Sequence, residues 1–393
     1  MSNILSRFFV GKNATKQEFK NLASVKALFS SKKLNILLLA DDRHEANVVQ
    51  DHINSFRLNS KHNVFVVNPI WQKIDRCCQL DDIDIILIHY SILIVSDYFL
   101  PKYNANIIRD FKGEKAQIIQ DEYRWVNKMK AKMHELGVSA VFSSLNVENL
   151  KKVYGGDLLN NVNFYSCLPG YIPQHMINAD VLPIKERPLD IVYRGRELPF
   201  WFGKQAREKS QIGEHMLRIC GQYGGLIDIA TSETSRIYGE DWIKFISSGR
   251  TTLGVEGGVS IFDFDEKAES GTKAYLEKHP DAKFDEVFEN VLKPFEENIV
   301  HRTITPRIFE AILLKTALIL YPGNYRQILK ADENYILLEP DGSNNEEVAK
   351  KIKDHAYLQD MVDRTYKKIV NNKKLQASFY VKQIDKVLSN LEN

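Results

Sequence analysis

The sequence contains little cysteine and carries almost no net charge. Four cysteines occur in 393 residues. They form neither a Cys-x-x-Cys pair nor a Cys/His zinc spacing, so we expect reduced thiols and no disulfide framework. The 53 basic and 51 acidic residues leave a formal charge of +2. A chain-wide basic field is therefore absent, and although a local basic patch is not excluded, we expect no nucleic-acid partner.

Long apolar runs are also missing. The longest, residues 83–95, is interrupted by polar side chains and is too short to span a bilayer. Residues 1–20 contain short apolar stretches but neither a long hydrophobic region nor a small-residue cleavage site. We therefore expect no signal peptide and a cytoplasmic protein. An amphipathic helix in this N-terminal segment would allow peripheral contact with a membrane.

Two glycine-based nucleotide motifs are absent. The first apolar run is followed by Ala40-Asp41-Asp42-Arg43-His44, whereas a dinucleotide-binding domain needs Gly-x-Gly-x-x-Gly at this point. No Walker A sequence occurs either. These absences argue against an NAD-dependent dehydrogenase and against a P-loop nucleotidase.

Short apolar runs separated by helix-length segments are what the sequence does contain. Four prolines between residues 169 and 188 divide these runs into two sets. The runs before the prolines are 34–39, 64–67, 83–88, 117–120, 138–142 and 163–167, and those after them are 189–193, 226–229, 251–253, 317–321 and 335–338. Buried parallel strands have this pattern, so we predict an α/β fold with two Rossmann-like, doubly wound domains facing a cleft.

The beginning of the second domain carries positive charge. Arg194 and Arg196 follow its first strand, and Lys204 and Lys209 lie in the helical stretch that comes next. Guanidinium and ammonium groups at a strand end and helix start would hold a diphosphate, while the alternative is a solvated basic helix face.

A glycine-rich segment follows the third strand of this domain, in Leu253-Gly254-Val255-Glu256-Gly257-Gly258-Val259-Ser260. Its glycines would let the backbone approach a ligand closely, so we predict ligand contact at Gly257 and Gly258. A tight turn is the alternative. Glu256 is harder to explain as a turn residue, which makes it a catalytic candidate.

The segment Thr305-Pro306-Arg307-Ile308-Phe309-Glu310-Ala311 forms a third candidate site. Pro306 suits the first turn of a helix, which places Glu310 one turn inside with Arg307 on the same side. The Glu310 carboxylate would accept hydrogen bonds from two ribose hydroxyls. A structural Arg-Glu pair is the alternative.

Candidate reacting groups lie at strand ends of the first domain. Asp121 and Glu122 follow the 117–120 run, and either could remove a proton from an acceptor hydroxyl. His44 follows the first strand and is a further candidate. The alternative for each is a helix cap. The histidines show no His-x₃-His pair with a flanking carboxylate, so we expect no metal and no cofactor.

Together, these three segments of the second domain resemble those of the GT-B glycosyltransferases, and they are most similar to the group-1-like branch. Residues 305–325, TPRIFEAILLKTALILYPGNY, resemble the C-terminal nucleotide-sugar signature of these enzymes. YRGRELP with Lys204 resembles the Arg/Lys pair on the first loop of their second domain, and LGVEGG resembles their glycine-rich loop. The resemblance covers residues 188–345 well and residues 33–180 by architecture alone.

The resemblance implies a nucleoside-diphosphate sugar donor, a metal-independent transferase and a role in bacterial surface polysaccharide or lipopolysaccharide assembly. The ribose would lie on Glu310, and the diphosphate on the basic residues of the second domain together with Arg307. The acceptor would be a glycan or a lipid-linked molecule, with peripheral contact at the inner membrane. Many retaining members carry Glu-x₇-Glu ending at the residue that matches Glu310, but here the first position is Arg302, so Glu256 is a candidate for the displaced partner.

We therefore predict an acceptor-binding domain over 1–180, a donor-binding domain over 181–372 and a final helix, 373–393, for which the resemblance implies packing back on the first domain. Two alternatives remain open: a nucleotide- or sugar-binding protein without turnover, and a nucleotide-sugar epimerase of the same fold. Release of nucleotide from the donor separates the transferase from both.

Overall fold

The computed structural model describes residues 33–391. The N-terminal segment for which an amphipathic helix is considered lies outside these residues. The first half of the described chain forms a parallel sheet in the order β2-β1-β3-β4-β5-β6. Its strands are β1 (Asn35–Leu39), β2 (Asn63–Val67), β3 (Ile85–Ile88), β4 (Glu114–Ile119), β5 (Ala140–Ser143) and β6 (Asn163–Ser166). Helices cover both faces, which explains why strands such as β1 are buried along their whole length.

The helices of this half are α1 (Asn47–Asn59), α2 (Ile74–Cys77), α3 (Lys102–Asp110), α4 (Val126–Leu136) and α5 (Val147–Tyr154). The connections that matter for function are the loops that follow β1, β2, β3 and β4, because they lie together at the carboxyl edge of the sheet. Ligands of doubly wound sheets bind at this edge.

The second half forms a parallel sheet in the order β13-β12-β9-β7-β8. The strands from here on are β7 (Leu189–Arg194), β8 (Ile227–Ala230), β9 (Gly249–Gly254), β10 (Gly257–Val259), β11 (His301–Thr303), β12 (Ala317–Leu320) and β13 (Ile336–Leu337). The helices are α6 (Lys204–Tyr223), α7 (Gly239–Ser248), α8 (Lys267–Lys278), α9 (Phe284–Val287), α10 (Pro306–Leu313), α11 (Asn345–Lys353), α12 (His355–Val370) and α13 (Ala377–Leu391).

An insertion between β9 and α10 joins the two halves. It runs from β10 through α8 and α9 to β11, and its two strands form a separate antiparallel pair. Although this segment follows the second sheet in sequence, its residues Val259, Phe262 and Ile299 are buried in the hydrophobic core of the first half. The Arg124 guanidinium donates to both carboxylate oxygens of Glu269 at 2.6 and 2.5 Å. The insertion is therefore anchored on the first domain.

The last helix, α13, also lies on the first domain. Its residues Val381 and Leu388 are buried in one core with Ile53 and Phe56 of α1. Asp385 fixes this contact, because its carboxylate accepts hydrogen bonds from the Ser60 hydroxyl and the Lys61 amide, both at 2.8 Å. The boundaries at residues 180 and 372 stay predictions. Within residues 33–391, no helix combines the length and the apolar character that crossing a membrane requires.

Candidate active site

Three cations of the second domain gather where β7 ends. Arg196 lies two residues beyond the end of this strand, Lys209 lies in the second turn of α6, and Arg307 lies in the first turn of α10. The Arg307 guanidinium donates to the carbonyl of Arg194 at 2.6 Å and lies 5.0 Å from the ring of Trp242. Since Arg307 and Arg196 both act electrostatically on Lys209, the three side chains form one basic cluster.

The Lys209 ammonium is the innermost member of this cluster. Burial lowers the pKa of Lys209; the charge of Asp121 opposes this effect, and the neighbouring Arg307 and Arg196 lower the pKa further. Placing the desolvated Lys209 ammonium beside two further cations is unfavourable without an anion. The cluster therefore has the charge and position to bind one.

Asp121 faces this cluster from the first domain. It lies just beyond the end of β4 with an exposed side chain and a φ of 56°, a left-handed conformation that is unfavourable for a residue with a Cβ and is enriched at functional positions. The Tyr123 hydroxyl donates a hydrogen bond to its carboxylate, and Arg196 lies near the same tyrosine. The loop that follows β4 thus holds a carboxylate toward the basic cluster across the cleft.

Glu122, the neighbour of Asp121, points the other way. Its side chain is 3% exposed, and its two oxygens accept hydrogen bonds from the hydroxyls of Ser143 and Tyr154, both at 2.5 Å. Burial raises the pKa of Glu122 to about 7, although both hydrogen bonds lower it. Glu122 is a member of the first domain's interior and does not line the cleft.

Glu310 lies beside the basic cluster, one turn after Arg307 on helix α10. One carboxylate oxygen accepts a hydrogen bond from the Trp242 indole at 2.8 Å. Burial raises the pKa of Glu310, against the effects of the Trp242 hydrogen bond and the Arg307 charge, and the charge of Asp51 on α1 raises it further. Its second oxygen has no hydrogen-bond donor among residues 33–391, which leaves it able to accept one from a ligand.

Arg194 uses its guanidinium within the second domain. It forms a paired salt bridge with the Asp228 carboxylate at 2.8 and 2.9 Å and donates to the Ser235 carbonyl at 3.0 Å. One face lies 4.2 Å from the ring of Phe245. These contacts hold the loop after β8 against the end of β7, so Arg194 supports the site while Arg196 next to it remains half-exposed, with an ion pair to Glu233 at 3.2 Å.

Lys204 and the glycine pair lie outside the cluster. The Lys204 ammonium lies 4.2 Å from the ring of Phe288 in the insertion. Gly257 and Gly258 form strand β10, which pairs with β11. Gly258 has a φ of 102°, and a Cβ there would lie 2.0 Å from the carbonyl oxygen of His301. Backbone pairing accounts for glycine at position 258.

Glu256 is 2% exposed and accepts a hydrogen bond from the Tyr325 amide at 2.7 Å. Its other oxygen lies 3.9 Å from Arg302, which pairs more closely with Glu208 at 2.7 Å. Glu256 therefore fixes the loop after β12, and Arg302 binds carboxylates of the same domain.

His44 supports the start of α1. Its Nδ1 accepts a hydrogen bond from the Ala46 amide at 3.0 Å, and its carbonyl accepts one from the Gln50 side chain at 2.8 Å. In the described part of the chain, no three His, Cys, Asp or Glu side chains are grouped as a metal ion would require. The metal-independent reaction and the roles of the individual site residues stay predictions.

Two contributors to the site carry no signal in the sequence. Trp242 lies on α7, far from Glu310 along the chain, and Tyr123 holds Asp121 from two residues away. An indole N–H or a phenol buried in a site usually has a hydrogen-bond partner, but spacing along the sequence does not identify that partner.

Comparison with known proteins establishes the fold. No protein-family model and no curated protein matches this sequence. A phage T4 α-glucosyltransferase in complex with UDP-glucose and DNA containing an abasic site matches with a TM-score of 0.57 at 10% identity, over 91% of this chain and 100% of that one. An α-glucosyltransferase with UDP and a 13-mer DNA containing an A:G mismatch matches with a TM-score of 0.57 at 12% identity, over the same shares. HepE of Anabaena with UDP-glucose matches with a TM-score of 0.47 at 10% identity, over 91% and 100%.

The predicted fold class is confirmed by the two α-glucosyltransferase structures with TM-scores of 0.57: the chain has the GT-B fold, with two Rossmann-like domains. The exclusion of nucleic acid as a partner is wrong, because solved structures of this fold hold DNA. The physical reason is that net charge averages over the whole surface, whereas a nucleic acid contacts only part of it.

Proposed function

We propose that this protein is a glycosyltransferase that uses a nucleoside-diphosphate sugar as donor. The observation that carries the proposal is the basic cluster of Arg196, Lys209 and Arg307 at the end of β7, with Asp121 facing it from the other domain. Facing strand ends of two doubly wound domains are where such folds bind ligands. The fold shared with UDP-binding glucosyltransferases supports a nucleotide donor.

The second domain would bind the donor. The three cations hold the diphosphate, and their charge stabilises the diphosphate as it leaves the sugar in the transition state, the task that a metal ion performs in other transferases. Glu310 accepts hydrogen bonds from the ribose hydroxyls through the oxygen that Trp242 does not use. Lys209 is the residue on which we expect donor binding to depend most, because it is the innermost cation.

The first domain would bind the acceptor and provide the catalytic base. Asp121 accepts the proton of the acceptor hydroxyl. At the same time the oxygen of that hydroxyl forms the new bond to the sugar, and the bond between sugar and diphosphate breaks. Glu122 is left out of this step, because its oxygens are already hydrogen-bonded inside the domain. We assign no stereochemical outcome, since Arg302 stands at the position where many retaining members of the resembled family carry glutamate.

Two acceptor classes are candidates. The group-1-like resemblance favours a glycan or lipid-linked acceptor in bacterial surface polysaccharide assembly, with peripheral membrane contact. The α-glucosyltransferases with TM-scores above 0.5 are complexes with DNA, which favours a nucleic acid. Both acceptors would approach the carboxyl edge of the first sheet.

Binding of UDP and release of UDP from UDP-glucose test the donor assignment. We expect UDP to bind by calorimetry with or without chelator, and UDP-glucose to release UDP slowly with water as acceptor. Lys209→Met should weaken UDP binding about ten- to a hundredfold, since a charge-assisted hydrogen bond contributes about 1.5–3 kcal/mol. Lys204→Met is the matched control and should bind as the wild type does.

Asp121→Asn tests the reaction itself. It should lower UDP release by about 10²- to 10⁴-fold while UDP affinity is unchanged. Lack of UDP binding at millimolar concentrations would contradict the proposed function. Binding without UDP release would instead favour a binding protein, and donor conversion without UDP release would favour an epimerase.

A further inference from the structure

Two exposed aromatic rings, each with a cation beside it, lie on the loop after β2 and at the start of α3. Trp71 is 58% exposed, and the Arg43 guanidinium lies 5.7 Å from its ring centre. Tyr103 is 44% exposed, and the Lys73 ammonium lies 4.4 Å from its ring centre. We call these four residues the aromatic rim. Large exposed aromatic side chains concentrate at binding surfaces.

The loop that carries Trp71 is held in place from both sides. The Asn104 amide donates to the carbonyls of Pro69 and Gln72 at 2.8 and 2.7 Å, and its oxygen accepts from the Ile74 amide at 3.1 Å. On the other side, the Asn68 amide donates to the carboxylates of the loop after β1. Both asparagines are 2% exposed.

This anchoring means that Trp71 is exposed because the structure holds it outward. A buried tryptophan would add substantial hydrophobic stabilisation, yet the buried amide hydrogen bonds fix the backbone of this loop while the Trp71 side chain stays exposed. A rigid aromatic surface loses little conformational entropy on binding. The aromatic rim therefore has the properties of a preformed binding surface.

Trp71 lies on the same sheet edge as Asp121, because each follows the carboxyl end of its strand. The strands β2, β1, β3 and β4 are neighbours in this order, and adjacent strands lie about 4.8 Å apart. The loop of Trp71 and the loop of Asp121 are therefore separated by three strand spacings, roughly 14 Å. A molecule that contacts both must be extended along the carboxyl edge.

We propose that the aromatic rim binds a nucleic-acid strand that carries the acceptor, an inference that rests on the proposed function. Bases stack on Trp71 and Tyr103, while Arg43 and Lys73 contact the flanking phosphates. The neighbouring carboxylate of Asp75 accepts a hydrogen bond from the Tyr103 hydroxyl at 2.5 Å. Neutral sugars also pack on aromatic rings, but they give no reason for a cation beside each ring.

Fluorescence anisotropy with a labelled single-stranded DNA tests the proposal, with its duplex and a neutral oligosaccharide as competitors. Trp71→Ala should raise the Kd for the strand roughly 5- to 150-fold, the range measured for loss of one stacked base. Trp71→Phe should retain most of the affinity. Leu158→Ala, which removes an exposed side chain before β6, is the control. Lys73→Gln should reduce the slope of log affinity against log salt by about 0.7.

UDP binding is measured on the same proteins and should not change, because the aromatic rim is separate from the basic cluster. Loss of UDP binding by the wild type would contradict the proposed function and not this inference. Equal DNA affinity of wild type and Trp71→Ala would overturn the inference. So would binding of the oligosaccharide alone, weakened by Trp71→Ala, since the aromatic rim would then be a glycan surface.

Discussion

Replacing Glu122 by glutamine should change how stability depends on pH. Burial raises the pKa of this carboxyl to about 7 in the folded protein, from a reference value of 4.5. Between these values the folded protein binds a proton that the unfolded chain has lost, so stability falls as pH rises through this window. A difference of about 2.5 pKa units corresponds to roughly 3 kcal/mol. Glu122→Gln removes the titrating group.

Urea unfolding of wild type and Glu122→Gln at a series of pH values measures this effect. The free energy of unfolding of the variant minus that of the wild type should rise by up to about 3 kcal/mol between pH 4.5 and 7, and it should be level outside this window. The buried histidines have the opposite effect on the free energy of unfolding in both proteins. Burial lowers the pKa of His52 to about 3, so the stability it contributes is lost as pH falls below about 6.5. This contribution is common to both proteins and cancels in the difference.

Tyr154→Phe supplies a second comparison. Its hydroxyl hydrogen bond lowers the pKa of Glu122, so its removal should extend the window above pH 7. A pH-independent difference between wild type and Glu122→Gln would refute the reasoning. It would mean that the pKa of Glu122 is the same in the folded and the unfolded protein, because the hydrogen bonds from Ser143 and Tyr154 offset the effect of burial.

Two further predictions concern the second domain. Glu310→Ala should weaken UDP binding about ten- to a hundredfold, because a charge-assisted hydrogen bond to the ribose is lost, and calorimetry measures this. Arg187, which is 1% exposed, donates to three backbone carbonyls and to Thr316. Arg187→Met should lower the free energy of unfolding by about 3–5 kcal/mol, since each buried group left unpaired costs about 1–3 kcal/mol, and urea unfolding measures this.

Much of the fold could be predicted because its strands are buried on both faces and therefore appear as uninterrupted apolar runs. The run 317–321 becomes β12 at Ala317–Leu320, and the run 138–142 overlaps β5 at Ala140–Ser143. The strand in the glycine-rich segment could not be predicted in the same way, because Gly257 and Gly258 have low strand propensity. They form β10 only through pairing with β11, more than forty residues later in the chain.

The positions of candidate residues could be predicted where these residues follow strand ends, as Arg196 and Asp121 do. The sequence could not show which of Asp121 and Glu122 faces the cleft, because both residues follow the same strand. In the structure the Asp121 side chain is exposed and the Glu122 side chain is buried. Nor could the sequence show that Arg194 is engaged within the domain while Arg196 is available to a ligand. The Asp228 carboxylate that binds Arg194 comes from a different strand. Partners distant in sequence decide which charged groups remain available to a ligand.

The anchoring of the insertion has a consequence for how the two domains can move. Because Val259, Phe262 and Ile299 are buried in the first domain, the polypeptide crosses between the domains at the insertion as well as at the proline-rich linker and before α13. A single flexible linker allows wide opening, whereas several crossings restrict motion to small rotations about shared hinges. Proteolytic cleavage of the linker alone would leave the domains together. A chain starting at residue 185 would expose the insertion's apolar face and would lack its folding partner.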